Sequence, residues 1–216
     1  KFTELFEATA PRVLVSTFPH LDLILEETWR EYCGAVRKPF IKVVTDSITV
    51  HRAWTLGNPD YYIVANEDTA TSLRARGISE KHLKVLGYPV AKAFRNPVDR
   101  RAFEKRFDLS PKKTTLLLIL SHGIRWQRIK KLISGLIEDP LENVQLVIIV
   151  AGPSQWKRKL DKFAFPFPVR ITGWTTEMAT FIKSSDIVLT KAGGSTVMEC
   201  IASSKPMIIF EAIPGQ

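Results

Sequence analysis

Cysteine is nearly absent. Cys33 and Cys200 are the two cysteines in 216 residues. They are too few for a disulfide framework, and neither sits in a CxxC or other metal-like spacing. A reducing compartment is the expectation. No apolar run approaches the roughly 20 residues needed to span a bilayer. The opening stretch, KFTELFEATAPR, lacks the apolar h-region of a signal peptide. Internal repeats and low-complexity tracts are also missing. What remains is the composition of an ordinary globular protein, long enough for one large domain or two small ones.

Charge is unevenly placed. From Ala91 to Arg170 there are 17 Lys plus Arg against 7 Asp plus Glu, a net of +10 within a chain total of +9. A solvated face is the bland reading. An anionic membrane surface or nucleic acid would be a functional partner for such a region. No nucleic-acid motif accompanies the charge, so the membrane is preferred and no nucleic-acid partner is expected.

Short β-branched runs alternate with amphipathic stretches, which predicts an α/β chain with parallel sheets. Strands are expected at 12–16, 40–45, 61–65, 82–86, 114–120, 144–151, 169–172, 186–190 and 206–210. Helices are expected at 21–32, 66–76, 99–107, 124–136, 176–183 and 195–203. Leu109 to Lys113 reads as a linker. The expected domains are therefore 1–108 and 109–216.

The densest chemistry lies between Ser185 and Gln216. A buried strand runs into Lys191-Ala192-Gly193-Gly194, then a helix, a second strand and Pro214-Gly215-Gln216. A helix start with Ser195 and Thr196 offers free N–H groups, a partial positive charge and two hydroxyls, which suits a phosphate. Glu199 admits two readings. It is placed to reach the hydroxyls of a ribose, or it closes a capping box with Thr196.

Thr190 to Thr196, Glu199, Pro206 to Ile209 and Pro214-Gly215-Gln216 together resemble the donor-nucleotide site of GT-B glycosyltransferases. The resemblance is to the branch of monogalactosyldiacylglycerol synthase, processive diacylglycerol glucosyltransferases and the peptidoglycan N-acetylglucosaminyltransferase. It implies two Rossmann-like domains with parallel sheets, both apparently incomplete here: the end of an acceptor-side domain, then most of a donor domain. It implies a diphosphate at Gly193, Gly194, Ser195 and Thr196 beside Lys191, a ribose at Glu199 and a sugar at Gln216. His122 and Gly123 stand where the family has a glycine-rich loop, and Gly152 follows the next strand. Gly173-Trp174-Thr175 resembles the segment that reads the base, which implies uracil; the other reading makes Trp174 a core residue.

In the first half, Thr45-Asp46, His51 and Trp54 resemble the acceptor-side segment of galactolipid synthases. Gly87-Tyr88-Pro89-Val90 resembles the family's turn before the interdomain linker. By this resemblance Asp46 and His51 are the candidate catalytic residues; the plain alternative is a capped strand end with a surface histidine. No Asp-x-Asp motif appears, so neither a catalytic metal nor a cofactor is implied. The expected activity is metal-independent, inverting transfer of a hexose from a UDP-sugar to a lipid such as diacylglycerol, at the cytoplasmic face of a membrane. The alternatives are a peptidoglycan-type transferase, a UDP-sugar epimerase, or a non-catalytic membrane-binding module. Peripheral attachment is assigned to Arg95, Arg100, Arg101, Lys105 and Arg106.

Overall fold

Each apolar run of the sequence becomes a strand with its neighbour on the same heading, so both sheets are wholly parallel. The computed structural model describes residues 1–212, and the chain divides into two units between Pro89 and Val90.

In the first unit, β1 (Leu14–Ser16), β2 (Phe40–Val43), β3 (Tyr61–Val64) and β4 (Leu83–Val85) lie in chain order. Helices α1 (Phe2–Thr9), α2 (Asp22–Cys33) and α3 (Glu67–Arg74) accompany them. Val44, Trp54, Tyr62, Val64 and Leu73 form one core, and Phe6, Trp29 and Phe40 another. The Asn66 side chain accepts from the Thr69 amide at 2.9 Å and opens α3, while Gly77 turns the chain beyond it at φ +89°. One strand residue breaks the apolar pattern. Lys42 and Asp22 are fully buried and face each other at 3.0 Å. The Ser16 hydroxyl donates to Asp22, and Lys42 donates to the Leu56 carbonyl. Such a pair tolerates burial because its opposite charges face one another and Ser16 and Leu56 add hydrogen bonds.

The second unit opens with α4 (Arg100–Arg106) and continues through β5 (Thr114–Ser121), α5 (Trp126–Glu138), β6 (Val144–Ala151), α6 (Gln155–Leu160) and β7 (Val169–Thr172). It closes with α7 (Met178–Ser184), β8 (Ile187–Lys191), α8 (Gly194–Ala202) and β9 (Met207–Glu211). The strand order is β7-β6-β5-β8-β9. β5 and β6 are apolar along nearly their whole length because both faces are covered. Leu118, Ile129, Ile133, Leu146, Ile148 and Leu160 fill one side. Leu117, Ile119, Val147, Phe181 and Val188 fill the other.

The domain boundary differs from the expected 108/109. Phe94 and Phe103 belong to the same core as Val147 and Phe181, and the Phe103 and Phe181 rings meet edge-on at 5.1 Å. Arg100 grips Asp186 with two bonds of 2.6 and 3.0 Å. Residues from Val90 onward therefore belong to the second unit. The expected linker is anchored too: Gln145 accepts from the Ser110 amide at 2.8 Å and donates to its carbonyl at 2.9 Å. Helix α6 was not expected, because a run of cations masked its periodicity. Trp156 and Leu160, four apart on one face, are its buried anchors. Among the described residues no helix is long and apolar enough to cross a membrane.

Candidate active site

In a parallel sheet, loops at the carboxyl ends of the strands share one edge. A crevice opens where neighbouring strands send the chain in opposite directions. In the second unit that point lies between β5 and β8, since β5 leads towards β6 and β8 towards β9. His122-Gly123 follows β5, and Lys191 to Ser195 follows β8. Gly123 has φ +91°, so glycine is needed at that turn.

Gly193 is the N-cap of α8, in extended conformation, and as a glycine it has no side chain to cap the helix. Its first turn carries no acidic residue. Lys191 folds back over Gly193: a Cβ on Gly193 would lie 3.4 Å from Lys191 Cε and 3.8 Å from Nζ. An ammonium thus stands at the positive end of a helix dipole, an arrangement that favours an anion. Ser195 is exposed and Thr196 partly so.

Glu199 lies six residues after the N-cap, whereas a capping box needs its acid at the third helical position. The capping reading is thereby overturned. Among the described residues Glu199 forms no ion pair, and burial raises its carboxyl above the ordinary Glu value. The neighbouring Cys200 thiol is pushed up to about 11 by its own burial and by Glu199. On α8 the buried residue is Cys200, and Ile201 is exposed.

Trp174 is 72% exposed at the end of β7, which removes the core reading. The Thr175 hydroxyl accepts from the Glu177 amide at 3.0 Å and shapes the entry to α7. Gly152 has a packing reason instead of a ligand-facing one, since a Cβ there would meet the Trp156 ring at 2.3 Å. Pro214, Gly215 and Gln216 lie outside the described residues. Arg128, on α5, reaches Glu211 at 3.4 Å; nothing in the sequence pattern singled it out.

In the first unit the loops after β1 and β2 are neighbours because those strands pair. The His20 and His51 rings stand 5.6 Å apart, with Phe18 against His20 at 5.0 Å. His20 was not among the expected site residues; its signal was its place just beyond β1. Asp46 accepts from the His51 backbone amide at 2.8 Å, so it closes its loop and does not orient the imidazole. His51 Nδ1 accepts from the Ala53 amide at 3.2 Å, which leaves the neutral ring its proton on Nε2. His51 in this arrangement is a hydrogen-bond donor, not a proton acceptor. Among the described residues no protein group hydrogen-bonds the His20 ring. Between Asp46 and His51, Ile48 is held at φ +66°, with its amide on Thr69 Oγ1 at 3.1 Å. A β-branched residue in that region stores about 1–2 kcal/mol.

Comparison with known proteins adds identity to this geometry. The monogalactosyldiacylglycerol (MGDG) synthase family matches residues 1–90. The glycosyltransferase family 28 C-terminal domain matches residues 126–212. A processive diacylglycerol beta-glucosyltransferase of Bacillus licheniformis is 27% identical, over 100% of this chain and 55% of its own length. The Staphylococcus aureus protein of the same name is 30% identical, over 100% of this chain and 54% of its own. The chain is a GT-B relative of the diacylglycerol glycosyltransferases. It spans about half the length of these curated relatives. The GT-B fold is seen again in the Neisseria meningitidis UDP-GlcNAc 2-epimerase bound to UDP-GlcNAc, with TM-score 0.64 and 14% identity over 96% of this chain and 61% of that one. It recurs in Anabaena HepE in complex with UDP and glucose, with TM-score 0.61 and 12% identity over 96% and 62%. The family 28 match takes in the whole Lys191 to Glu199 stretch, and the MGDG synthase match takes in His20, Asp46 and His51.

Proposed function

We propose that the chain is the core of an enzyme that transfers a hexose from a UDP-sugar to the hydroxyl of a lipid such as diacylglycerol. The observation that carries this reading is the glycine N-cap of α8 with Lys191 folded over it, at the crevice between β5 and β8. The diphosphate sits against the Gly193 to Thr196 amides and hydroxyls, with Glu199 on the ribose and Trp174 beside the uracil. As the bond from the anomeric carbon to the diphosphate breaks, its electron pair leaves with UDP. The helix end and Lys191 stabilise that charge, the task a metal performs in other transferases. The acceptor oxygen attacks the opposite face in one displacement, which inverts the anomeric centre, and needs no cofactor. The first unit offers His20 as a candidate to take the acceptor's proton and His51 Nε2–H as a donor to a hydroxyl. The names of the curated relatives and the Thr45 to Trp54 segment support a diacylglycerol acceptor.

Calorimetric titration with UDP tests the donor half. Replacing Ser195 and Thr196 together by alanine should weaken binding by about 1–3 kcal/mol, the worth of hydrogen bonds to a charged group. Unchanged affinity in that double variant overturns the assignment. Transfer to diacylglycerol from a panel of UDP- and GDP-sugars, with the complete polypeptide, tests the rest.

A further inference from the structure

The five cations first assigned to membrane contact are not equally free. Arg100 is held by Glu104 and Asp186, and Arg106 by Glu177 at 2.9 Å. The aromatic residues around α4, Phe103 and Phe107, pack inward on Phe181. Helix α4 therefore presents Arg101 and Lys105 with no apolar companion. A cavity of about 770 Å³ in the first unit is lined by Glu26 and Asp60 as well as by cations. Its Arg30 pairs with Glu26 and its Arg37 with Asp60.

The opposite holds on the far face of the second unit. Trp126 at the start of α5, Lys130 one turn on, Lys159 near the end of α6, and Lys162 and Phe163 just beyond it line an open pocket of about 340 Å³. No acidic side chain lines it. Lys159 lies over the Trp126 ring at 4.8 Å, and none of the three lysines forms an ion pair among the described residues. Trp126 and Phe163 are partly exposed while resting on the apolar core. Three uncompensated ammonium groups around an indole anchored from below combine headgroup attraction with interfacial anchoring.

We propose that this pocket seats the phosphate headgroups of an anionic bilayer, so that the second unit contacts the membrane through α5 and α6 and not through α4. The choice of a bilayer rests on the lipid-transferase reading; the pocket's anion chemistry does not. Failure of one is distinguishable from failure of the other, because UDP titration probes only the donor crevice.

The experiment is co-sedimentation of the protein with phosphatidylcholine vesicles, with or without phosphatidylglycerol, at low and high salt. Binding should require the anionic lipid and fall with salt. The triple variant K130Q/K159Q/K162Q should bind about 100-fold more weakly, at about fivefold per lysine. R101Q/K105Q should bind as the parent does. Unchanged circular dichroism and UDP affinity show that each variant is folded. Trp126→Ala should weaken binding further in the triple variant's direction, since charge alone does not anchor. Loss of binding in R101Q/K105Q with none in the triple variant overturns the proposal. So do equal binding to neutral vesicles, no vesicle binding by the parent, saturation of the pocket by millimolar glycerol phosphate in place of vesicles, or tighter binding to an oligonucleotide than to anionic vesicles.

Discussion

In the proposed reaction Glu199 and the two histidines carry the chemistry at the residue scale, and each is separable from its structural role. Burial raises the Glu199 carboxyl, so the folded state binds its proton more tightly than the unfolded chain does. Stability contributed there falls as pH rises from the unfolded value through the folded one. Glu199→Gln removes that dependence. The variant should melt no lower than the parent at neutral pH, the difference should vanish in acid, and UDP affinity should drop. Marked destabilisation with normal UDP affinity would return Glu199 to a structural role. For the histidines, His51→Asn retains a side-chain acceptor for the Ala53 amide, and should hold stability while lowering transfer. His20→Ala should cost about 10²–10⁴-fold in transfer rate, the usual worth of general base catalysis. Equal rates for His20→Ala and the parent would remove it from the reaction.

At the scale of elements, α4 shows why sequence reading placed one boundary wrongly. Burial works to raise the Asp186 carboxyl, but the bonds from Arg100 and the Thr115 amide hold it below the ordinary Asp value. That stability is present above the ordinary value and is lost as pH falls through the folded one. Asp186→Asn should therefore cost about 1–2 kcal/mol at neutral pH, since both partners are a third exposed and solvent screens them. Amide exchange should quicken in α4 before it does in β5; uniform exchange across both would mean that α4 is held by its phenylalanines alone. Local pattern reported nearly every strand and helix, because apolar periodicity follows directly from which face is covered. It did not report that Arg100 reaches across 86 positions to Asp186, nor that Gln145 would pin the presumed linker. Those contacts depend on strand order, which periodicity does not encode.

At the scale of the whole molecule, the same distinction separates the candidate groups of one unit from those of the other. The β8–loop–α8 unit was legible because its parts are consecutive, and one stretch of sequence carries them. The histidine pair was only half legible, since His20 and His51 come from different strands and meet through the pairing of β1 with β2. The buried Asp22–Lys42 pair belongs to this class of long-range feature, and it constrains how the protein can change. Removing either member strands a charge in the interior, at about 3–5 kcal/mol, whereas exchanging both for apolar residues of like volume is near neutral. Asp22→Leu and Lys42→Met should each abolish soluble expression or lower the melting temperature steeply, and the double variant should recover most of the loss; additive losses would mean the pair is not coupled. Descent through single substitutions therefore meets a valley on either side of this pair, so the two positions should pass from ionic to apolar together or stay as they are.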